Sequence, residues 1–285
     1  MVDCEVDVQI GQAMHEFISA LELNDKEQED ASAQHVRLRE GLTQRLDLDP
    51  NFLTFLTGSY KRRTAIRPLK DIDVFCVLKR SSSQDSGTLT PSAALARVKA
   101  ALDAAYPGKA AEPQNRSVNI EFTGTGIAYD VVPAFADQAG DGFLIPDIGA
   151  GSWIRSNPRV HEAKSVAANE AAGSELKPLT KAVKHWNRQL PKAERLRSFH
   201  IEIMAWDVLR SKHENRGSGL LALYRGLATR VLTATADPAG LGPDIDADVG
   251  AKARLDAQRR FTAVADKIQE ALSLAAEGKT EAAHY

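Results

Sequence analysis

The chain has 285 residues, 43% of them hydrophobic and 26% charged, with a formal net charge of −2. This gives ample apolar material for two domains or one large bilobed one, and it argues against a globally basic protein that grips duplex nucleic acid by charge. The two cysteines, Cys4 and Cys76, lie far apart with Cys76 inside an apolar run, so neither a structural disulfide nor a cysteine-based zinc site is expected.

The acidic opening MVDCEVDVQI lacks the basic region and apolar stretch of a signal peptide, and no run approaches the ~18 apolar residues of a membrane span. A cytoplasmic protein without a membrane partner is expected. Residues 6–48 read as two helices: Val8, Ile10, Met14, Phe17, Ile18 and Leu21 recur at helical spacing before the polar LNDKEQED, and Asp49-Pro50 stops the second. The short apolar FLTFLTGS follows, then the basic YKRRTAIRPLK, then DIDVFCVL, which reads as a strand. SSSQDSGTLTP has loop composition, and SAALARVKAALDAAY reads as a helix ended by Pro107-Gly108. RSVNIEFTG and GIAYDVVPAF form a hairpin around Gly124-Thr125-Gly126. Past residue 155 the period becomes helical, with segments near 158–172, 175–190, 198–212, 218–234 and 250–276, and one long break at TADPAGLGPDIDAD. The order implies an α+β lobe and an α-helical lobe.

Three acids stand in apolar runs. On a strand, residues i and i+2 share a face, so Asp71 and Asp73 project side by side, with Phe75 and Val77 continuing that face. Asp130, the sole charge of its strand, shares a face with Ala128, Val132 and Ala134. Carboxylates held together on a largely buried strand repel one another and need compensation by a shifted pKa or by cations. If the two strands are neighbours, the three acids supply the few oxygen ligands that suit Mg²⁺. Upstream, Gly58-Ser59 is a turn whose glycine lets the backbone approach a phosphate and whose serine adds a hydroxyl.

GSYKRRTAIRPLKDIDVFCVL together with AYDVVPAF resembles the DNA polymerase β-type nucleotidyltransferase superfamily. More narrowly it resembles the bacterial cGAS/DncV-like nucleotidyltransferases (CD-NTases), with a leaning toward their clade E enzymes. NPRVHEAKSVAANE, LTKAVKHWNRQ, RSFHIEIMAWDVL and DPAGLGPDID extend the likeness along most of the chain. The resemblance implies a mixed sheet with flanking helices over 1–155 and a helical lobe over 156–285, bilobed around a central cleft. It also implies two Mg²⁺ ions, with Mn²⁺ able to substitute. Asp71 and Asp73 would bridge both ions, and Asp130 would hold the catalytic one and help deprotonate a ribose hydroxyl. Gly58 and Ser59 would grip the donor triphosphate.

In the helical half, Lys177, Lys181, Lys184 and Arg188 form one basic stripe beside Leu176, Leu179, Val183, Trp186 and Leu190. The resemblance puts Lys184 at the donor phosphates and leaves the other three as a solvated face. Ser198 reads as the N-cap of the next helix, and the resemblance adds a triphosphate contact. His200 matches a position that stacks on the donor base in relatives, with a partly buried histidine as the competing reading. Asn169 matches one used to read a uracil edge, with an exposed helical asparagine as its alternative. Asp244, Asp246 and Asp248 repeat the alternating acids, but they lack the EF-hand glycine and twelfth-position acid and read as solvated.

The activity implied is condensation of NTPs into a cyclic oligonucleotide signal for anti-phage defence, a cyclic dinucleotide that can contain a pyrimidine. A separate effector would read the product, a regulatory protein could gate the enzyme, and no nucleic acid would be obligatory. The alternatives are a linear nucleotidyltransferase acting on RNA ends or a protein hydroxyl, or a silent nucleotide-binding relative.

Overall fold

The computed structural model describes residues 2–80 and 89–279, with side chains from Gly11 onward. Most of the serine-rich loop and the last residues lie outside that range, as do the side chains of Val8 and Ile10. The chain divides into two compact units. One is Leu23–Glu162 with Ala239–Gly242; the other takes the residues up to Glu22, Ala163–Pro238 and those from Pro243 onward. The expected boundary after residue 155 therefore falls after Glu162, and the first helix, α1 (Val2–Leu21), groups with the helical unit. The reason is burial: Ile18 and Leu21 lose nearly all their exposure, and Ile18 joins the apolar cluster of the later helices.

The first unit is built on a seven-stranded sheet. Its strands are β1 (Thr54–Thr57), β2 (Asp71–Val77), β3 (Ala111–Pro113), β4 (Val118–Phe122), β5 (Ile127–Ala136), β6 (Phe143–Asp147) and β7 (Ser152–Ser156). The order is β1-β2-β5-β4-β3, with β6 joined to β5 and β7. Among the described strands β2 and β5 run parallel, and the other pairs are antiparallel. The sheet is mixed, as expected. Pro146 and the polar, half-exposed SWIRS segment hid β6 and β7 from a reading by apolar alternation.

Alternation along β2 and β5 sorts their side chains to two faces. Ile72, Val74, Cys76, Tyr129, Val131 and Phe135 bury in one core with Leu38 and Leu42 of α2 (Asp25–Arg45) and Val98 and Leu102 of α4 (Pro91–Ala105). Burial there pushes the Cys76 thiol up to about 12. Both helices begin at side-chain caps. Asn24 and Glu27 form a reciprocal capping box, and Thr90 Oγ1 accepts from the Ala93 N–H at 3.2 Å before Pro91. On the opposite face Phe75, Val77, Val132 and Ala134 pack with Phe143 and Ile145. That face carries the three acids.

The helical unit holds α6 (Leu176–Gln189), α7 (Ser198–Val208), α8 (Arg216–Arg230) and α9 (Ala251–Ala276), preceded by α5 (Pro158–Ala171), which begins in the sheet unit. The residues between α8 and α9 form neither helix nor strand, as their composition implied. No helix among the described residues is long and apolar enough to cross a membrane.

Candidate active site

The parallel pairing of β2 with β5 sets Asp73 directly opposite Asp130 and Asp71 opposite Ala128. Neighbouring strands lie ~5 Å apart and Cβ atoms at opposed positions leave the sheet on one side. Asp73 and Asp130 are half-buried and Asp71 is exposed. Asp130 Oδ1 accepts from Asn119 Nδ2 at 2.9 Å. Among the described residues, no three His, Cys, Asp or Glu side chains are gathered closely enough to hold a metal ion. The sequence expected the three acids to converge; the strands supply the register, and the carboxylates themselves stay apart. Like charges on adjacent strands repel, and Asp130 is held by the Asn119 amide. The shared strand face and the hard oxygen donors of Asp71, Asp73 and Asp130 suit Mg²⁺ or Mn²⁺.

The Gly58-Ser59 turn sits against the same row. Thr57 closes β1 opposite Asp73, and Gly58 opens the single-turn α3 (Gly58–Lys61) at φ +68°. A Cβ on Gly58 would lie 1.7 Å from Asp73 Oδ2, so only glycine lets this backbone pass the carboxylate. The Ser59 carbonyl accepts from the Thr64 and Ala65 N–H groups at 2.9 and 3.1 Å, which folds the following residues back under the turn. Gly58→Ala should cost about 1–3 kcal/mol of stability from the left-handed backbone alone. It should also lower turnover by at least ~10-fold by displacing Asp73. Denaturant unfolding and a turnover assay on one preparation check both, and wild-type turnover in the variant would contradict the close approach.

Behind the acids the sheet face turns aromatic. Phe55 and Phe75 face each other across β1 and β2, with ring centroids 5.2 Å apart, and Phe143 and Phe52 close the group. The Arg159 guanidinium lies over Phe52, Phe55 and Phe143, at 4.9, 5.4 and 5.6 Å. Sequence reading missed Phe52, Phe55, Phe143 and Arg159, because nothing in their local spacing announces a shared cluster.

Within the helical unit the structure changes several expectations. The basic stripe of α6 is not a solvated face: Lys181 and Lys184 are buried, and Lys177 and Arg188 are half-buried. Lys181 pairs with Glu22, and the Lys184 ammonium meets Glu202 Oε1 at 2.8 Å with both side chains almost fully enclosed. Buried cations require such partners. Ser198 is the first helical residue of α7, not its cap; Arg197 holds the cap position without a side-chain bond. Asn169 is half-buried, and its Oδ1 accepts from the Lys177 N–H at 3.0 Å, which ties the end of α5 to the start of α6.

His200 is 1% exposed, so it offers no ring face to a base, and the buried-histidine reading prevails. Its Nε2 is 3.1 Å from Thr235 Oγ1 and 3.3 Å from Asp246 Oδ2. Asp246 likewise is enclosed instead of solvated: it pairs with Arg254 at 2.6 Å and accepts from the Thr235 N–H. Burial pushes His200 down to about 4, with Asp246 pulling the other way and Arg254 and Arg230 adding to the fall. The unfolded chain therefore binds a proton that the folded chain refuses between pH 6.5 and about 4. Stability from this group is complete above pH 6.5 and is lost as pH falls through that window. Moving from pH 7 to pH 5 should remove about 2 kcal/mol, and His200→Gln should lack that part of the dependence. Guanidinium unfolding at the two pH values checks it, and equal pH dependence in both proteins would contradict it.

A mixed sheet whose central parallel pair carries facing aspartates, fronted by a Gly-Ser turn, is the arrangement of a polymerase β-type nucleotidyltransferase. The model of the family described as "Second Messenger Oligonucleotide or Dinucleotide Synthetase domain" matches residues 9–169, and the chain belongs to that family. The match includes Gly58, Ser59, Asp71, Asp73, Asn119 and Asp130. The chain is similar to a cyclic AMP-AMP-AMP synthase of Acinetobacter sp., 32% identical over 211 residues, covering 70% of this chain and 57% of that relative. It thus spans a little over half the relative's length.

Among solved structures, CdnC of Escherichia coli MS115-1 with ATP superposes with a TM-score of 0.73 at 21% identity over 92% of each chain. The same protein is also known in complex with HORMA-deltaN, where the TM-score is 0.70 at 22% identity over 89% of this chain and 88% of that one. The CdnE cyclic dinucleotide synthase of Elizabethkingia meningoseptica gives 0.66 at 16% identity, over 88% of this chain and 96% of the other. These likenesses establish the CD-NTase fold. They do not single out the clade E enzymes.

Proposed function

We propose that the chain is a nucleotidyltransferase that condenses nucleoside triphosphates into a cyclic di- or trinucleotide and releases pyrophosphate, acting in the cytoplasm in CBASS-type anti-phage signalling. The observation that carries this reading is the register of β2 and β5, which sets Asp73 opposite Asp130 with Asp71 one step along the same face. Membership of a second-messenger synthetase family supports it, and the similarity to a cyclic AMP-AMP-AMP synthase favours ATP among the substrates. Asn169, whose Oδ1 accepts from the Lys177 N–H, keeps its Nδ2 for a uracil edge, so a pyrimidine remains a candidate second base.

Two divalent cations, Mg²⁺ or Mn²⁺, held at Asp71, Asp73 and Asp130, would supply charge stabilisation at the reacting phosphate and the leaving pyrophosphate. Asp130 accepts the proton of the acceptor ribose hydroxyl. The new O–P bond forms at the donor α-phosphorus as the bond to pyrophosphate breaks. The Gly58 backbone and the Ser59 hydroxyl hold the donor triphosphate; in the helical unit, Lys184 and Ser198 are proposed phosphate-contacting residues. A separate effector would read the product. The HORMA-deltaN complex of the E. coli relative favours a regulatory protein partner over a nucleic-acid trigger, in keeping with the net charge of −2.

Incubation with Mg²⁺ and the four NTPs, singly and in pairs, tests the proposal. Phosphatase-resistant products would be identified by mass spectrometry, with the HORMA-type partner added in a parallel set. A cyclic adenylate-containing product is expected. Linear, phosphatase-sensitive products in both sets would favour the alternative of transfer onto an RNA end or a protein hydroxyl.

A further inference from the structure

One register row crosses four strands. Thr57 lies opposite Asp73, Asp73 opposite Asp130, and Asp130 opposite Asn119. Opposed residues share a face of the sheet, so Asn119 stands beside Asp130 on the side away from Asp73. Its Nδ2 donates to Asp130 Oδ1 at 2.9 Å. A carboxylate only accepts, so the amide must present its nitrogen. Ser117 Oγ stands 3.4 Å from the same oxygen, but its single proton has a nearer acceptor in Gln114 Oε1 at 3.1 Å. Asn119 is therefore the donor that holds Oδ1.

The residue type suits that task. Without a donor the Asp130 carboxylate is free to turn about its two side-chain torsions. A lysine or arginine in place of Asn119 would restrain it too, but would also neutralise it and compete with a cation. A neutral amide restrains one oxygen and leaves the charge intact. We propose that Asn119 is a positioning residue for Asp130: by fixing Oδ1 it leaves Oδ2 as the atom presented to the divalent cation and to the proton of the attacking hydroxyl. The inference rests on the nucleotidyl-transfer reading above. It adds a residue that neither motif spacing nor the family match assigns.

The test compares wild type, Asn119→Leu, Asn119→Gln and Asp73→Asn in two measurements: Mn²⁺ binding to the protein alone, followed by electron paramagnetic resonance, and steady-state kinetics with ATP and Mg²⁺. Leucine fills a similar volume without a donor; glutamine keeps the donor on a longer arm. Asn119→Leu should weaken Mn²⁺ binding and lower kcat by ~10–100-fold each, with KM for ATP within about twofold of wild type. Asn119→Gln should recover much of both. Wild-type Mn²⁺ affinity and kcat in a folded Asn119→Leu, while Asp73→Asn loses both, would overturn the positioning role alone. Absence of Mn²⁺ binding from wild type itself would overturn the metal-site reading together with it.

Discussion

Asp73→Asn is expected to lower nucleotidyl transfer by at least ~10³-fold while leaving the folded protein as stable as before, or more so. Asp73 lies at the middle of the row. It faces Thr57 on one side and Asp130 on the other, and Gly58 passes against its carboxylate. The substitution preserves shape and removes one charge. Losing a ligand that stabilises charge only at the transition state costs about 3–4 kcal/mol of barrier or more. Stability moves the other way, because the change removes repulsion between two carboxylates on adjacent strands. Pyrophosphate release and the unfolding midpoint, measured on one preparation, separate the two effects. Retention of a tenth of wild-type turnover would contradict a catalytic role for Asp73.

Glu202→Ala should be among the most destabilising single changes in the helical unit, at about 3–5 kcal/mol. Its carboxylate and the Lys184 ammonium are 2.8 Å apart, with side chains 1% and 2% exposed. Removing the acid leaves a desolvated ammonium without that counter-charge, whereas removing both charges avoids the penalty. The double variant Lys184→Met/Glu202→Leu should therefore unfold near the wild-type denaturant midpoint. It also separates ion pairing from phosphate contact at Lys184. A stable double variant with a raised KM for ATP supports a phosphate contact, and one with unchanged kinetics limits Lys184 to the ion pair. A Glu202→Ala protein as stable as wild type would contradict the buried-pair account.

Much of this site can be read from strand periodicity. Asp71, Asp73 and Asp130 stand out because each interrupts an apolar alternation, and the face they share with Phe75 and Val132 follows from counting by twos. Asn119 was within reach by the same logic. The hairpin turn pairs Phe122 with Ile127, and that register alone sets residue 119 opposite 130. What spacing cannot convey is tertiary pairing of charge. Lys181 and Asp246 look solvated from their local spacing, and nothing in the sequence near Lys184 points to a buried counter-charge. Each is buried against a partner on another element or turn of the chain: Lys181 against Glu22, Lys184 against Glu202 and Asp246 against Arg254. His200 misled in the opposite direction. A family position suggested a surface for a base, and the packing of the loop carrying Thr235 and Asp246 encloses the ring. The grouping of α1 with the helical unit was hidden for the same reason, since an amphipathic stripe shows that a helix packs but not against what.

The most direct measurement is anomalous scattering from a crystal of the protein grown with Mn²⁺ and a non-hydrolysable ATP analogue. Two Mn²⁺ peaks are expected on the sheet face of β2 and β5, with oxygens of Asp71, Asp73 and Asp130 at ~2.0–2.2 Å and the analogue's phosphates completing the shells. Analogue bound with no anomalous peak at these three aspartates would contradict the metal-site reading.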